Sequence, residues 1–411
     1  MARRTRYPRA QAIAVERALP PLGLRTLQRV PIPRLWEFRF SDLAWLVAGN
    51  AVLIAAMWVR HGGLDQLGDL SGRLTAVGQL TALYGTFLAL LGLVLVARSP
   101  WLDQLAGMHR LANWHRWIGF AVIWLLVAHT VFTTAGYALG DRSGLAAETW
   151  TLLTTYPYVL MGTVALLLLI AVGVLSMRAA RSRISYGSWY AVHLYTYLAM
   201  ALGFGHQLAV GTDFQDDPVA RFYWIMLYIV TALLILLFRF GQPLYLSLRH
   251  RLRVADVVAE APGVVSVYVR GRKLEELAVR AGQYFVWRFF TGDSWWRGRP
   301  FSLSAAPNGK SLRLTIKADG AETERLLRLR RGTWVGAEGP YGILTGARRT
   351  HRKVLLIAGG IGITPLRALA EELPAARGEI TLLYRASDWS DAVFADELDR
   401  IAERRGMIVH Y

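Results

Sequence analysis

Four histidines stand where ionisable side chains are rarely kept. His115 and His129 lie fourteen residues apart in one apolar stretch, and His193 and His206 lie thirteen apart in another. A neutral imidazole presents a nitrogen lone pair to iron. Inside a hydrophobic span such a group is costly enough to mark a ligand site, a proton path or an interhelical hydrogen bond. If the two stretches run in the same direction through a bilayer, His115 comes level with His193 and His129 with His206, so each level offers two imidazoles to one metal. At about 1.5 Å per residue the two levels are roughly 20 Å apart. The chain has no cysteine, which removes disulfides, cysteine-ligated clusters and the covalent attachment of c-type haem. Two b-type haems, each held non-covalently by a histidine pair, are the expected occupants; structural histidines and a proton relay are the alternatives. On an ideal helix, His115 and His129 are about 40° apart in azimuth and His193 and His206 about 140°. A helix irregularity is therefore expected between the second pair, near Gly203 and Gly205.

A second chemical signature follows later in the chain. "KVLLIAGGIGITPLRALAEEL" is an apolar strand, a glycine-rich turn and a helix. Gly359, Gly360 and Gly362 let the backbone approach a phosphate, while Thr364 and the helix N-terminus supply hydrogen bonds and a positive dipole end, with Pro365 in the first helical turn. Arg385, beyond the next strand, is placed to contact the 2′-phosphate of NADPH, or else is a solvated surface arginine. Upstream, "RPFSLSAAP" follows "AGQYFVWRF" and groups cation, aromatic and hydroxyl side chains at Arg299, Phe301, Ser302 and Ser304, with Pro300 between the first two.

The elements that must carry these residues divide the chain. Apolar windows fall at roughly 42–59, 75–97, 114–136, 156–177, 189–210 and 221–239, each near the length that a helical membrane span requires. Connections after the second and fourth windows carry Arg98, Arg110, Arg116, Arg178, Arg181 and Arg183; those after the third and fifth carry Asp141, Asp213, Asp216 and Asp217. The positive-inside rule then predicts a multi-pass cell-membrane protein with six spans and both termini cytoplasmic. The same rule accounts for the arginines near the inner pair better than haem propionates do, and Trp117, Phe120 and Trp124 are read as packing residues. The formal charge of +18 with 54% hydrophobic residues reflects this topology rather than nucleic-acid binding; the expected surroundings are a lipid bilayer. Residues 1–40 form a basic cytoplasmic arm, 41–248 the helical bundle, 249–350 a strand-rich module and 351–411 an α/β module.

The segment R-P-F-S-L-S resembles that of the ferredoxin-reductase-like flavoenzymes. The resemblance implies an antiparallel β-barrel in which Arg299 pairs with the pyrophosphate of FAD, Phe301 packs on the isoalloxazine and Ser302 bonds its reactive edge. Lys317, Gly320 and Thr323 occupy the next flavin-diphosphate stretch. With six spans and paired histidines upstream, nearly the whole chain resembles the NADPH oxidase and ferric reductase superfamily. That implies electron transfer from cytoplasmic NADPH (or NADH) through FAD and two haems to an extracytoplasmic acceptor, either dioxygen or a ferric chelate, with the oxidase reading narrowly preferred. Arg299 stands where animal members have histidine, which implies the bacterial and reductase-like branches. The superfamily continues beyond "MIVHY" with further strands and nicotinamide-contacting residues, so a truncated dinucleotide module of weak nucleotide affinity is expected. A haem-bearing subunit that feeds an extracytoplasmic protein is the second reading, and a haem transporter the third.

Overall fold

The computed structural model describes residues 40–292 and 297–411. They form two units that divide between Phe238 and Arg239. The expected N-terminal arm lies outside the described residues apart from Phe40.

The first unit is all helix. Helices α1 (Phe40–Arg60), α2 (Leu70–Leu95), α3 (Met108–Gly140), α4 (Val159–Ser176) and α7 (Pro218–Leu236) are long and apolar enough to cross a bilayer, α7 together with the helical turns that follow it. Apolar side chains on all sides suit helices whose outer surface meets lipid and whose inner surface meets other helices. The chain is therefore a multi-pass membrane protein with five candidate spans.

The window at 189–210 departs from expectation. It folds as α5 (Tyr186–His193) and α6 (Tyr195–Val210), separated at Leu194, so neither piece reaches spanning length alone. At the break the Thr196 hydroxyl donates to the carbonyl of His193 at 2.7 Å, and the amide of Tyr197 turns to Leu194 at 3.0 Å. An irregularity between His193 and His206 is thus present, but it sits directly after His193. Gly203 and Gly205 lie within the unbroken α6.

Helices α2 and α3 pack antiparallel through small residues. A Cβ at Gly78 would come within 2.3 Å of Thr133 Oγ1, and one at Gly136 within 2.3 Å of Thr75 Oγ1. Gly78, Gly85 and Gly92 recur at sevenfold spacing along α2, each facing α3. In lipid, helix association rests on this kind of close backbone approach. Trp117 and Trp124 do not pack inside the bundle: they are 62% and 71% exposed on the outer surface of α3, where an aromatic ring meets lipid.

The second unit opens with a short helix, α8 (Gln242–His250), and continues with strands β1 (Arg253–Ala261), β2 (Val264–Arg270), β3 (Tyr284–Phe289), β4 (Arg299–Ser302), β5 (Leu312–Lys317) and β6 (Val335–Tyr341). They pair antiparallel in two three-stranded sheets, β1-β2-β5 and β4-β3-β6. The expected closed barrel is not seen as a continuous ladder; the strands of the two sheets meet in the isolated bridges Arg253↔Trp334 and Leu303↔Leu314. Alternation explains the shared core. Val265, Val267 and Val269 of β2, Phe285, Trp287 and Phe289 of β3, and Leu312, Leu314 and Ile316 of β5 all point inward, each contributing about 1.5–3 kcal/mol of apolar burial.

A parallel sheet follows, β7 (Val354–Gly359), β8 (Ile380–Arg385) and β9 (Ile408–His410), in that spatial order. Helices α9 (Ile363–Glu372) and α10 (Ala395–Arg405) carry the crossovers, and their apolar faces share one core with Leu356, Ala358, Ile380 and Leu382. Leu355, Ile357, Leu383 and Ile408 are exposed.

Candidate functional site

The bundle brings the histidines together in two pairs. His115 of α3 and His193 of α5 face each other with ring centroids 6.0 Å apart and planes at 71°. Two nitrogen–metal bonds of about 2 Å, plus the ring radii at both ends, give a centroid separation of about 6 Å, the spacing that this pair shows. His193 also stacks on Trp189 at 4.9 Å. Its Nδ1 is buried without a hydrogen-bond partner. His129 of α3 and His206 of α6 line one cavity of about 330 Å³, walled by Leu83, Leu126, Leu166 and Met200 and edged by Thr133, Tyr137 and Gln207.

Three of the four rings are oriented by backbone carbonyls. His115 Nδ1 lies 2.9 Å from Gly92 O, His129 Nδ1 lies 3.0 Å from Gly78 O, and His206 Nδ1 lies 3.0 Å from Tyr158 O. A protonated Nδ1 that donates to a carbonyl leaves Nε2 as the bare nitrogen, the tautomer a metal needs. Tyr158 adopts a left-handed backbone, φ 66°, just before α4, and its carbonyl is the one His206 uses. Strain of this kind gathers at functional sites.

Glycines shape the space around the second pair. Gly203 lines the cavity, and a Cβ built there meets nothing within 4 Å. Gly162 is the reverse: a Cβ there would stand 2.8 Å from Cγ of His206. The Gly162→Ala protein is therefore expected to lose the spectral signature of the His129–His206 site while the His115–His193 site keeps its own; low-temperature difference spectra that resolve the two bands would check this. An unchanged pair of bands would rule out the packing argument.

In the second unit, β4 presents the Arg299–Ser302 segment beside β3, with Trp287 opposite Arg299 and Tyr284 opposite Ser302. Trp287, fully buried, donates from Nε1 to Phe301 O at 3.0 Å and fixes the strand. Arg299, Phe301 and Ser302 are half-buried and Pro300 exposed, as a surface that accepts a flat ligand requires. Ser304 differs from the expectation. It is fully buried, and its hydroxyl accepts from Thr315 Oγ1 at 2.7 Å, so it builds the wall rather than facing a ligand. Lys317 ends β5 exposed, Gly320 has φ 147° with open space before it, and Thr323 caps the turn by donating to Gly320 O at 3.0 Å.

The glycine turn lies at the end of β7. A Cβ at Gly359, Gly360 or Gly362 meets nothing within 4 Å, and Gly360 has φ 50°, so the turn is open and its conformation favours glycine. Arg385 pairs in register with Gly359 across the parallel ladder, which brings the guanidinium-bearing residue beside the turn. Pro365 is half-buried in the first turn of α9. Thr364 is buried, and its hydroxyl donates to Ile361 O at 3.1 Å; it braces the turn from beneath instead of offering a free donor. Such an open turn before a helix N-terminus can hold phosphate.

The carbonyl acceptors on Gly78, Gly92 and Tyr158 went unread in the sequence. The sevenfold glycine spacing in α2 was a usable signal for two of them; nothing marked the third.

Comparison with known proteins agrees with this layout. Residues 81–204 match the family "Ferric reductase like transmembrane component", a stretch that contains His115, His129 and His193 and stops just short of His206. The chain is 34% identical over 123 residues to a probable dihydroorotate dehydrogenase B electron transfer subunit from Methanothermobacter thermautotrophicus, which covers 29% of this chain and 43% of that protein. It is 33% identical over 109 residues to ferredoxin–NADP reductase B from Sorangium cellulosum, 25% of this chain and 45% of that protein. Dual oxidase 2 from Sus scrofa is 24% identical over 314 residues, 68% of this chain and 19% of that protein. The chain thus spans less than half the length of these curated relatives. It joins a ferric reductase-like transmembrane segment to a ferredoxin-reductase-like region, with distant homology to the dual oxidases.

Proposed function

We propose that this chain is an NAD(P)H-dependent transmembrane oxidoreductase of the ferric reductase and NADPH oxidase type, passing electrons through FAD and two b-type haems to an acceptor on the extracytoplasmic side. The observation that carries the reading is the pairing of His115 with His193 at 6.0 Å and of His129 with His206 around one cavity, within and beside the matched transmembrane segment.

Each chain element has a part in this. The carbonyls of Gly92, Gly78 and Tyr158 hold three imidazoles with Nε2 free for iron. Arg299 pairs with the flavin pyrophosphate, Phe301 packs on the ring system and Ser302 bonds its edge; Lys317 and the open turn at Gly320 receive the diphosphate, with Thr323 bracing that turn. Gly359, Gly360, Gly362, Thr364 and Pro365 shape the dinucleotide phosphate turn, and Arg385 favours NADPH over NADH by its charge. When bound, the flavin converts a two-electron donor into single-electron steps and the haems carry those electrons through the bilayer. Helices α5 and α6 together make a sixth crossing, broken at Leu194, with both termini cytoplasmic as the arginine-rich connections imply.

Dioxygen is the acceptor we favour over ferric chelates. Anaerobic titration of the purified protein with NADPH, followed by addition of either acceptor, tests the reading. Haem reduction without any further subunit, then reoxidation by dioxygen with superoxide formed, is the expected course. Reoxidation only by ferric chelate would make it a ferric reductase, and no haem reduction by NADPH would overturn the proposal.

A further inference from the structure

Strand β5 is buried on both faces. One face, Leu312, Leu314 and Ile316, enters the core between the two antiparallel sheets; the other presents Arg313 and Thr315 to the α/β module. Arg313 is 5% exposed and grips Glu397 of α10 with both arms, at 2.9 Å each, while its second arm also donates to Ser304 O at 2.7 Å. Glu397 also forms an ion pair with Arg367 in α9, its carboxylate 2.9 Å from Nε but without hydrogen-bond geometry. Arg367 pairs with Glu371 one turn on, and Glu371 accepts from the amide of Ala306 at 2.9 Å. The contacts close a ring that leaves the R-P-F-S-L-S segment at Ser304, crosses both helices of the α/β module and returns two residues later at Ala306. Glu372 adds a parallel tie to the amide of Ala281 at 2.9 Å.

The two arginines and two glutamates of the ring balance in charge. Burial raises the Glu397 carboxyl, but Arg313 and Arg367 outweigh burial and leave it at about 2, so it is ionised at any working pH. Breaking one side of such a set strands a buried charge. The ring also has an unusual placement. Helix α9 starts at the glycine turn and ends in the carboxylates that hold the flavin segment, so it links the two sites end to end.

We propose that Arg313, Glu397, Arg367 and Glu371 are positioning residues that fix the dinucleotide turn in register with the flavin segment, so that hydride passes between them without movement of one module against the other. This rests on the reading of the two segments given above. A hydride moves with its electron pair from the reduced nicotinamide to the flavin, and the distance between them is what the ring sets.

The test uses the full-length protein in detergent, unsubstituted and as Glu397→Gln and Arg313→Lys, the second keeping the charge but losing the two-armed grip. Anaerobic stopped-flow gives the rate of flavin reduction by NADPH per bound FAD; photoreduction of the flavin gives the rate of onward electron passage to haem. The ring predicts a fall in the first of about 100-fold, the scale of a 1 Å misplacement, with FAD content, KM for NADPH and the second rate held near their unsubstituted values. Equal hydride rates per bound flavin would overturn the inference, as would flavin loss that accounts for the whole decrease or failure of both variants to accumulate with flavin, which would make the ring a folding element. Absence of NADPH reduction in the unsubstituted protein would instead strike the proposed function itself, and the inference with it.

Discussion

On the proposed two-haem reading, alanine in place of His193 is expected to leave the protein with about one haem instead of two, and to end electron delivery to any external acceptor. His193 and His115 are the two rings whose centroids lie 6.0 Å apart. The cavity between His129 and His206 is built from separate residues, so its haem stays. Pyridine haemochrome assay against protein concentration reads the stoichiometry. The reciprocal substitution, His129→Ala, should give the same ratio while removing the other absorption band. Retention of both haems in either variant would mean that the pairs are not the ligands. Loss of the haem proposed at His115 and His193 leaves a gap of roughly 20 Å to the His129–His206 pair, which is why the loss of flux is expected to be near complete rather than partial.

The second large effect belongs to the flavin. Arg299→Ala is expected to weaken FAD binding by about 10- to 150-fold, the range that corresponds to losing one charge-assisted contact of about 1.5–3 kcal/mol. The residue stands on β4, at the outer position of the β4-β3-β6 sheet, and that strand is anchored by Trp287 through the Phe301 carbonyl. Removal of the guanidinium should therefore change the ligand's affinity and leave the strand in place. Titration of flavin-depleted protein with FAD measures the change. Arg299→Lys should recover part of the affinity, because an ammonium supplies the charge without the planar fork. An affinity unaltered in the alanine variant would remove Arg299 from the flavin site.

How far these features could be read in advance depended on the range of the interaction. The pairing of His115 with His193 was legible because helical rise turns sequence spacing into depth, and depth alone decides which rings meet. The break at Leu194 was not legible in position: no glycine or proline marks it, and Thr196 bonds back to a carbonyl as threonines in the unbroken helices do, whereas Gly203 and Gly205 looked weaker as helix formers. In the event one of those glycines opens the cavity and the other lets Met161 approach. The window at 189–210 is likewise met by two shorter helices, since a window of apolar residues says nothing about a break within it. Ser304 and Thr364 matched their motifs by type and spacing, yet both hydroxyls are spent inside the fold, a matter of which way a side chain turns. The link between Arg313 and Glu397 joins residues from different modules, and no local pattern in either stretch announces it.

The carbonyls of Gly78 and Gly92 are fourteen residues apart on α2, the same interval that separates His129 from His115 on the antiparallel α3. The backbone of one helix therefore acts as a ruler for the other. Inserting a single residue between Gly78 and Gly92 would turn one acceptor by about 100° and shift it by about 1.5 Å, so one imidazole would be left without its orienting partner while its neighbour kept its own. Lengthening both helices by a matched number of turns would restore the match but lengthen the path, which on the two-haem reading makes the span between the two histidine pairs a dimension that cannot drift by single insertions or deletions.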